Sequence, residues 1–291
     1  MTEAKTKNLA YVSLIAAMVI WGGSFIAIKI AFQSYDPMVV MFGRMATASI
    51  IFIFFIKRLR QTPCCSGDIT AFLLLGFFEP CLYYTLEANA LVNTSASQAG
   101  VITAMLPVLV AVSAWIILQE KIRGRTVSGF LLAVAGACIL SIGGEPTLHA
   151  PNPALGNFLE FLAMVSATGY ALILKKLSNR YPALFLTAVQ TLIGLLYFSI
   201  TLFLPGTVLP RRFDPEASAA ILFLGAVVTF GAYFLYNYGV KQMPVSRATA
   251  FVSLIPVFAI LLGWLILNET LTPIQFASCG LILAGVFLSQ A

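Results

Sequence analysis

Residues 97–120 read SQAGVITAMLPVLVAVSAWIILQE, and residues 246–269 read SRATAFVSLIPVFAILLGWLILNE. At this offset of 149 positions Ser97 falls on Ser246, Ala99 on Ala248, Pro107 on Pro256, Trp115 on Trp264 and Glu120 on Glu269. The match runs on through Leu132 with Leu281 and Gly136 with Gly285. Leu, Ile, Val and Ala coincide by chance in any two apolar helices, whereas Pro, Trp and Glu kept in one register mark an internal repeat. A shift to 146 also brings Lys29 onto Lys175 and Tyr35 onto Tyr181.

The chain around this pair has the same character. Of its 291 residues 60% are apolar and 10% charged, with a mean hydropathy of +0.95, where a soluble domain carries about a quarter charged residues. A hydrocarbon core about 30 Å thick needs about 20 residues of helix. Such runs fall near 9–29, 38–56, 70–90, 97–119, 126–143, 155–174, 183–204, 217–240, 247–267 and 273–290. The expectation is therefore an all-α integral membrane protein of ten transmembrane helices. The repeating unit, residues 1–145 and again 151–291, holds five spans, and an odd number makes the second copy enter from the opposite face. Inverted repeats of this kind suit alternating access, because two similar halves can exchange conformations about one central site.

Charge placement sets an expected orientation. Lys5, Lys7, Lys57, Arg58, Arg60, Lys121, Arg123, Arg125, Lys175, Lys176, Arg180, Lys241 and Arg247 fall at the N-terminus and on alternate loops, against Lys29, Arg211 and Arg212 on the other side. This asymmetry places both termini in the cytoplasm, and the first span reads as a retained helix. The net charge of +6 is thus a topology signal and not the mark of a nucleic-acid partner.

Trp21-Gly22-Gly23-Ser24-Phe25 with Lys29 eight residues after the Trp, Arg44 in the second span, Thr94-Ser95-Ala96 before the fourth, and Pro107 thirteen residues before Glu120 together resemble the EamA-type proteins of the drug/metabolite transporter superfamily. The resemblance covers the whole chain. It implies ten helices in two inverted halves, a cavity lined by the first, third, fourth, sixth, eighth and ninth helices, and export of metabolites, amino acids or drugs across the cytoplasmic membrane of a prokaryote. Ala167-Thr168-Gly169-Tyr170 departs from relatives that carry a Trp opposite Trp21.

Glu79 lies near the middle of the third span, where an ionised carboxyl costs about 2.5–3.5 kcal/mol unless protonated, paired or hydrated. Pro80 follows it and removes a backbone donor, which bends the helix. Glu79 reads either as a cavity carboxylate that titrates or meets a cationic group, or as a structural carboxyl bonded to a neighbouring helix. Glu87, two turns on, is expected nearer the outer surface in an ion pair with Arg44, as structure or as an outer gate. Trp21, Tyr83, Tyr84, Tyr170, Tyr233, Tyr236 and Asn237 form a candidate substrate box, since rings with polar tips suit planar or cationic ligands; packing is the alternative for each. Pro107 and Pro256 read as hinges. Trp115 and Trp264 read as interfacial anchors, Lys29 and Lys175 as snorkelling cations, Glu120 and Glu269 as loop caps, and Gly129 with Gly136 and Gly280 with Gly285 as helix-packing sites.

The only His, His149, falls in a loop, no phosphate-binding or dinucleotide motif occurs, and the five Cys show no ligand spacing. No cofactor or metal is expected. The expected partners are a small-molecule substrate and lipid, with the chain a monomer or homodimer. An intramembrane lipid-modifying enzyme would need a base or nucleophile set that the spans do not offer. A facilitator or channel without ion coupling would need no buried titrating group.

Overall fold

The structure is a computed structural model that describes residues 3–118, 124–142 and 146–290. Glu120, Lys121 and Arg123, and the side chains of Lys5 and Lys7, lie outside the described residues. The helices are α1 (Glu3–Phe32), α2 (Pro37–Ile53), α3 (Ile69–Asn93), α4 (Ala96–Ile102, continued by Leu106–Leu118), α5 (Gly124–Ile142), α6 (Pro153–Ser178), α7 (Ala183–Thr201), α8 (Pro215–Gln242), α9 (Val245–Leu267) and α10 (Pro273–Gln290). Among the described residues seven of these, α1, α3, α4 and α6–α9, are long and apolar enough to cross a membrane. The shorter apolar helices are Pro37–Ile53, Val127–Ile142 and Pro273–Leu288. No strand occurs among the described residues.

Loops gather at two ends. The basic end holds residues 54–68, which include a short helix at Ile56–Arg60 and a 3-10 turn at Ser66–Asp68, with 179–182 and 243–244; the far end holds 33–36, 94–95, 146–152, 202–214 and 268–272. Four of the five helices entering from the far end, α2, α6, α8 and α10, start on a polar residue followed by Pro, which fixes φ and lacks the donor that a first turn cannot use, while α4 starts on Ser95 followed by Ala96. Asp36 accepts from Met38 N, Asn152 from Leu155 N and Asp214 from Ala217 N. Thr272 and Gln275 bond each other's backbone N–H in a reciprocal cap.

Four helices are interrupted, three of them beside the prolines expected to bend them. In α3, Glu79 leaves helical geometry (φ −151°, ψ 116°) within a wide π-type turn at Phe77–Leu82, as the residue before a proline is pushed to do. The Phe78 carbonyl at the break accepts from the Ser166 hydroxyl at 2.7 Å, which supplies the partner that lipid cannot. α8 has its own π-type stretch at Leu224–Ala232. In α4 a 3-10 turn at Thr103–Met105 precedes Pro107, and in α9 one at Phe251–Leu254 precedes Pro256. Each Pro therefore stands in the first turn of a resumed helix. The segments of α4 begin at 96, 103 and 106, those of α9 at 245, 251 and 255, so the outer two bounds keep the 149-residue offset.

α5 lies against α10. A Cβ on Gly136 would meet Ile282 Cγ1 at 2.8 Å, and one on Gly285 would meet Gly129 O at 2.6 Å. Close backbone approach explains these three glycines. Gly280 has nothing within 4 Å, so the packing role expected of it is corrected. The two lysines do not simply reach for water. Lys29 Nζ donates to His149 O at 2.6 Å, and Lys175 Nζ to Val240 O and Met243 O at 2.9 and 2.7 Å. Lys175 thus caps the last carbonyls of α8. Trp115 and Trp264 are exposed on the flanks of α4 and α9.

Candidate functional site

The breaks in α3, α4, α8 and α9 converge with α1, α2 and α6 on a cavity of about 50 Å³. That is room for a few waters and too little for a metabolite, so any organic ligand must displace side chains. Trp21 comes from α1, Arg44 from α2, Glu79, Tyr83, Tyr84 and Glu87 from α3, Tyr170 from α6, and Tyr233 and Tyr236 from α8. Thr103 and Leu106 bring in the α4 break, and Val252 and Ile255 that of α9.

The rings form a continuous wall. Trp21 lies 5.1 Å from Tyr233 and 4.9 Å from Tyr236, centroid to centroid, while Tyr84 and Tyr170 lie 6.3 and 6.4 Å from Tyr233. Edge-to-face contacts at these distances are each favourable by about 0.5–1.5 kcal/mol beyond area burial.

Charges are set into the wall by specific partners. The Tyr233 hydroxyl donates to Glu79 Oε1. Arg44 Nη2 donates to the Tyr84 hydroxyl at 3.0 Å and Nε to Thr229 Oγ1 at 3.2 Å, and the guanidinium lies 3.8 Å from the Tyr84 ring centroid. Arg44 Nη1 stands 3.6 Å from Glu87 Oε2, and Tyr83 donates to Glu87 Oε1 at 2.9 Å. Arg44 and Glu87 are 2% and 3% exposed, so this is a desolvated pair, and breaking such a pair is strongly destabilising. Arg44 and Glu87 line the same cavity as Glu79, so they do not stand apart near a surface. Two polar atoms here lack hydrogen-bond partners, Trp21 Nε1 and Glu87 Oε2: one donor and one acceptor.

Asn237 is not in the cavity wall, contrary to the expectation. It is fully buried behind it, accepting from the Tyr170 hydroxyl at 2.7 Å and donating to Thr187 Oγ1 at 2.8 Å. It holds Tyr170 in place. The reason lies in helical phase, since Asn237 is only one residue from Tyr236, about 100° around α8. Among the described residues no group of three or more His, Cys, Asp or Glu could hold a metal.

The EamA-like transporter profile matches twice, over residues 8–142 and 154–290. The chain belongs to the EamA-like transporter family. Its place in the drug/metabolite transporter superfamily follows, and the all-helical, multi-pass architecture accords with it. Among EamA-type relatives, the uncharacterized transporter YetK of Bacillus subtilis is 27% identical over 96% of this chain and 86% of its own. An uncharacterized transporter of Archaeoglobus fulgidus is 28% identical over 96% and 97%. A probable terminal-alkyne amino-acid exporter of Streptantibioticus cattleyicolor is 23% identical over 95% and 91%. A solved crystal structure superposes with a TM-score of 0.66 at 17% identity, covering 99% of this chain and 98% of the other, a likeness of fold alone.

The sequence reading passes over Glu160. Its carboxyl in α6 is completely buried, and neither oxygen has a hydrogen-bond partner. The signal that singled out Glu79, an ionisable residue inside an apolar run, applied equally to Glu160. Gln98, Asn157 and Gln190 were passed over as well, each buried and bonded to other side chains between helices.

Proposed function

We propose that this EamA-type transporter is a secondary exporter of small organic metabolites, with amine-bearing compounds such as amino acids as the leading substrate class. It works by alternating access across the cytoplasmic membrane of a prokaryote. In this reading α1–α5 and α6–α10 are inverted five-helix repeats, the basic end faces the cytoplasm and the far end faces outward. The double profile match, the matched bounds of the α4 and α9 segments and the thirteen-to-three split of basic residues support it.

The observation that carries the reading is the closed aromatic box lined by Trp21, whose indole N–H has no acceptor, and by Glu87, whose Oε2 has Arg44 at ion-pair distance but no hydrogen-bond donor. A substrate with one acceptor and one ammonium group would satisfy both, and the rings would cover its apolar part. The relative named as a probable amino-acid exporter supports the same class. Glu79 is the first candidate for proton coupling, because Tyr233 is its hydrogen-bond partner and Arg44 is already engaged with Tyr84, Thr229 and Glu87. Pro107 and Pro256, next to 3-10 turns at the cavity wall, serve as hinges.

Counterflow in liposomes tests this, run with labelled amino acids with and without a pH gradient. The expected result is exchange that a pH gradient drives, and that Glu79→Gln uncouples. Gradient-independent exchange, with Glu79→Gln no worse than a surface control, would support a facilitator instead. A thermal-shift screen against amino acids, nucleosides and cationic drugs narrows the substrate, since a ligand of the folded state raises its stability.

A further inference from the structure

We propose that Glu160 is a proton-binding residue of this carrier, supplied from the far end past Gln98 and Asn157 and exchanging its proton with Glu87. The inference rests on the carrier reading above for its purpose, but its chemistry stands on the geometry alone. Both oxygens of Glu160 are buried without a hydrogen-bond partner, and α6 touches α3 here: a Cβ on Gly156, one turn before Glu160, would meet the backbone oxygen of Ala90, one turn after Glu87, at 2.8 Å. A bare carboxylate in such a place is far costlier than the neutral acid. Glu87 Oε2 is itself without a hydrogen-bond donor, so a proton shared between the two carboxyls would satisfy oxygens on both.

Glu160 lies on one face of α6 with Asn157 one turn before it and Met164 and Ala167 one and two turns after. Met164 and Ala167 line the central cavity. In the other direction Asn157 Nδ2 donates to Gln98 Oε1 at 2.9 Å, and Thr94 donates to Asn157 Oδ1 at 2.8 Å. Gln98 also lines a far-end cavity of about 510 Å³ bordered by Lys29, His149 and Glu269. A polar thread thus runs from a roomy, polar far-end cavity as far as Asn157, one turn of α6 before the Glu160 carboxyl. Among the described residues, the titratable groups facing Glu160 are Glu87 and Tyr83 of α3. Arg44 of α2 is behind Glu87, Cys138 of α5 borders the lateral groove shared with Asn157, and Tyr233 and Tyr236 of α8 lie on the central cavity.

In the transfer, the O–H bond of Glu160 breaks and one forms at Glu87 Oε2. Glu160 is left as a carboxylate, which takes a new proton from far-end water. Protonated Glu87 no longer neutralises Arg44, whose guanidinium becomes available to Glu79 or to an anionic group of a substrate.

The test is a pH titration by infrared difference spectroscopy on the full chain in lipid nanodiscs, with the proton as the only probe. A protonated-carboxyl C=O band is expected in the wild type and in Glu79→Gln, and its loss in Glu160→Gln. Unchanged carboxyl bands in Glu160→Gln overturn the proposal. Gln matches the neutral acid in shape and is expected to fold; in Glu160→Asp the band must move in frequency, and an unmoved band also overturns it. After a pH jump at the far end of oriented liposomes, Asn157→Leu should reprotonate Glu160 more slowly than the wild type, and equal rates overturn the access route. Failure of the carrier reading looks different: a titrating Glu160 band with no pH-driven flux in the wild type supports the proton site and rejects coupled export.

Discussion

Placed over each other at the offsets of 146 and 149 residues, helices α1–α5 and α6–α10 agree in their scaffold and disagree in their chemistry. Tyr35 at the far end bonds the backbone N–H of Asp214 and the Ser218 hydroxyl, at 2.8 and 2.9 Å, while Ser34 donates to the Asp214 carboxylate at 2.8 Å. At the basic end, 146 residues on from Ser34 and Tyr35, Arg180 and Tyr181 donate to the Asp68 carboxylate, both at 2.9 Å. Each clasp ties one group of five helices to the other. At the cavity a tyrosine keeps its counterpart and the charged residues lose theirs. Glu79 matches Val228, Glu87 matches Tyr236, Arg44 matches Gln190 and Tyr84 matches Tyr233. The buried Arg–Glu pair and the Pro-broken carboxyl occur on one side only. In the carrier reading proposed above, the duplicated frame would supply the motion and the unduplicated charges the recognition.

The sharpest way to break that comparison is to remove one charge and its neutral counterpart. Arg44→Ala strands Glu87 in a desolvated wall and should destabilise by about 3–5 kcal/mol. Gln190→Ala, which removes a hydrogen bond to Tyr170, should cost only about 1–3 kcal/mol. Unfolding midpoints in detergent compare them, and equal losses would mean that the charge has no special weight. The reversal Arg44→Glu with Glu87→Arg should recover part of what either single change loses; no recovery would reject the pairing.

The shared frame is tested next. A Cβ on Gly225 would fall 2.3 Å from Thr47 Cβ and 2.8 Å from the Arg44 backbone oxygen, whereas one on Gly76, 149 residues earlier, would meet only the Ile193 side chain, at 2.6 Å. Gly225→Ala should therefore cost about 1–3 kcal/mol, and Gly76→Ala less, because Ile193 can shift its rotamer and a backbone cannot. The reverse order in thermal melts would show that α8 is the looser contact.

How much of this was legible follows the same division. Frame features are written in residue types with few other uses: the apolar runs mark the helices, and Pro107 and Pro256 mark where α4 and α9 resume. The break at Glu79 was anticipated from Pro80. The wide turn in α8 was not, because Leu224–Ala232 contains no proline, and its two glycines, Gly225 and Gly231, read equally well as helix-packing sites. At the site, ionisable residues stood out against an apolar background, so Glu79, Glu87 and Arg44 were visible. Their convergence on one cavity was not, because depth along a kinked helix cannot be counted at a constant rise per residue. Asn237 looked like a ligand group because polarity alone does not tell which face of a helix a residue occupies.

The smallest expected effect separates the two clasps. The Tyr181 hydrogen bond, with Arg180 beside it, holds the Asp68 carboxyl below the usual carboxylate range. The Ala217 N–H and the Ser34 hydroxyl do the same for Asp214. A carboxyl lowered in the folded state adds stability that is complete above its unfolded value, about pH 4, and that fades as pH falls through the lowered value. Both clasps should loosen on acidification, seen as faster hydrogen exchange at residues 61–68 and 207–218. They should differ in salt, because only the basic-end clasp contains an ion pair, and Arg180 is largely exposed. Raising ionic strength at neutral pH should speed exchange at the basic end more than at the far end, since screening weakens an exposed charge pair more than hydrogen bonds from neutral donors to a carboxylate. Equal salt responses would show that Tyr181 and not Arg180 carries the basic-end clasp, and Arg180→Gln would then exchange at the wild-type rate.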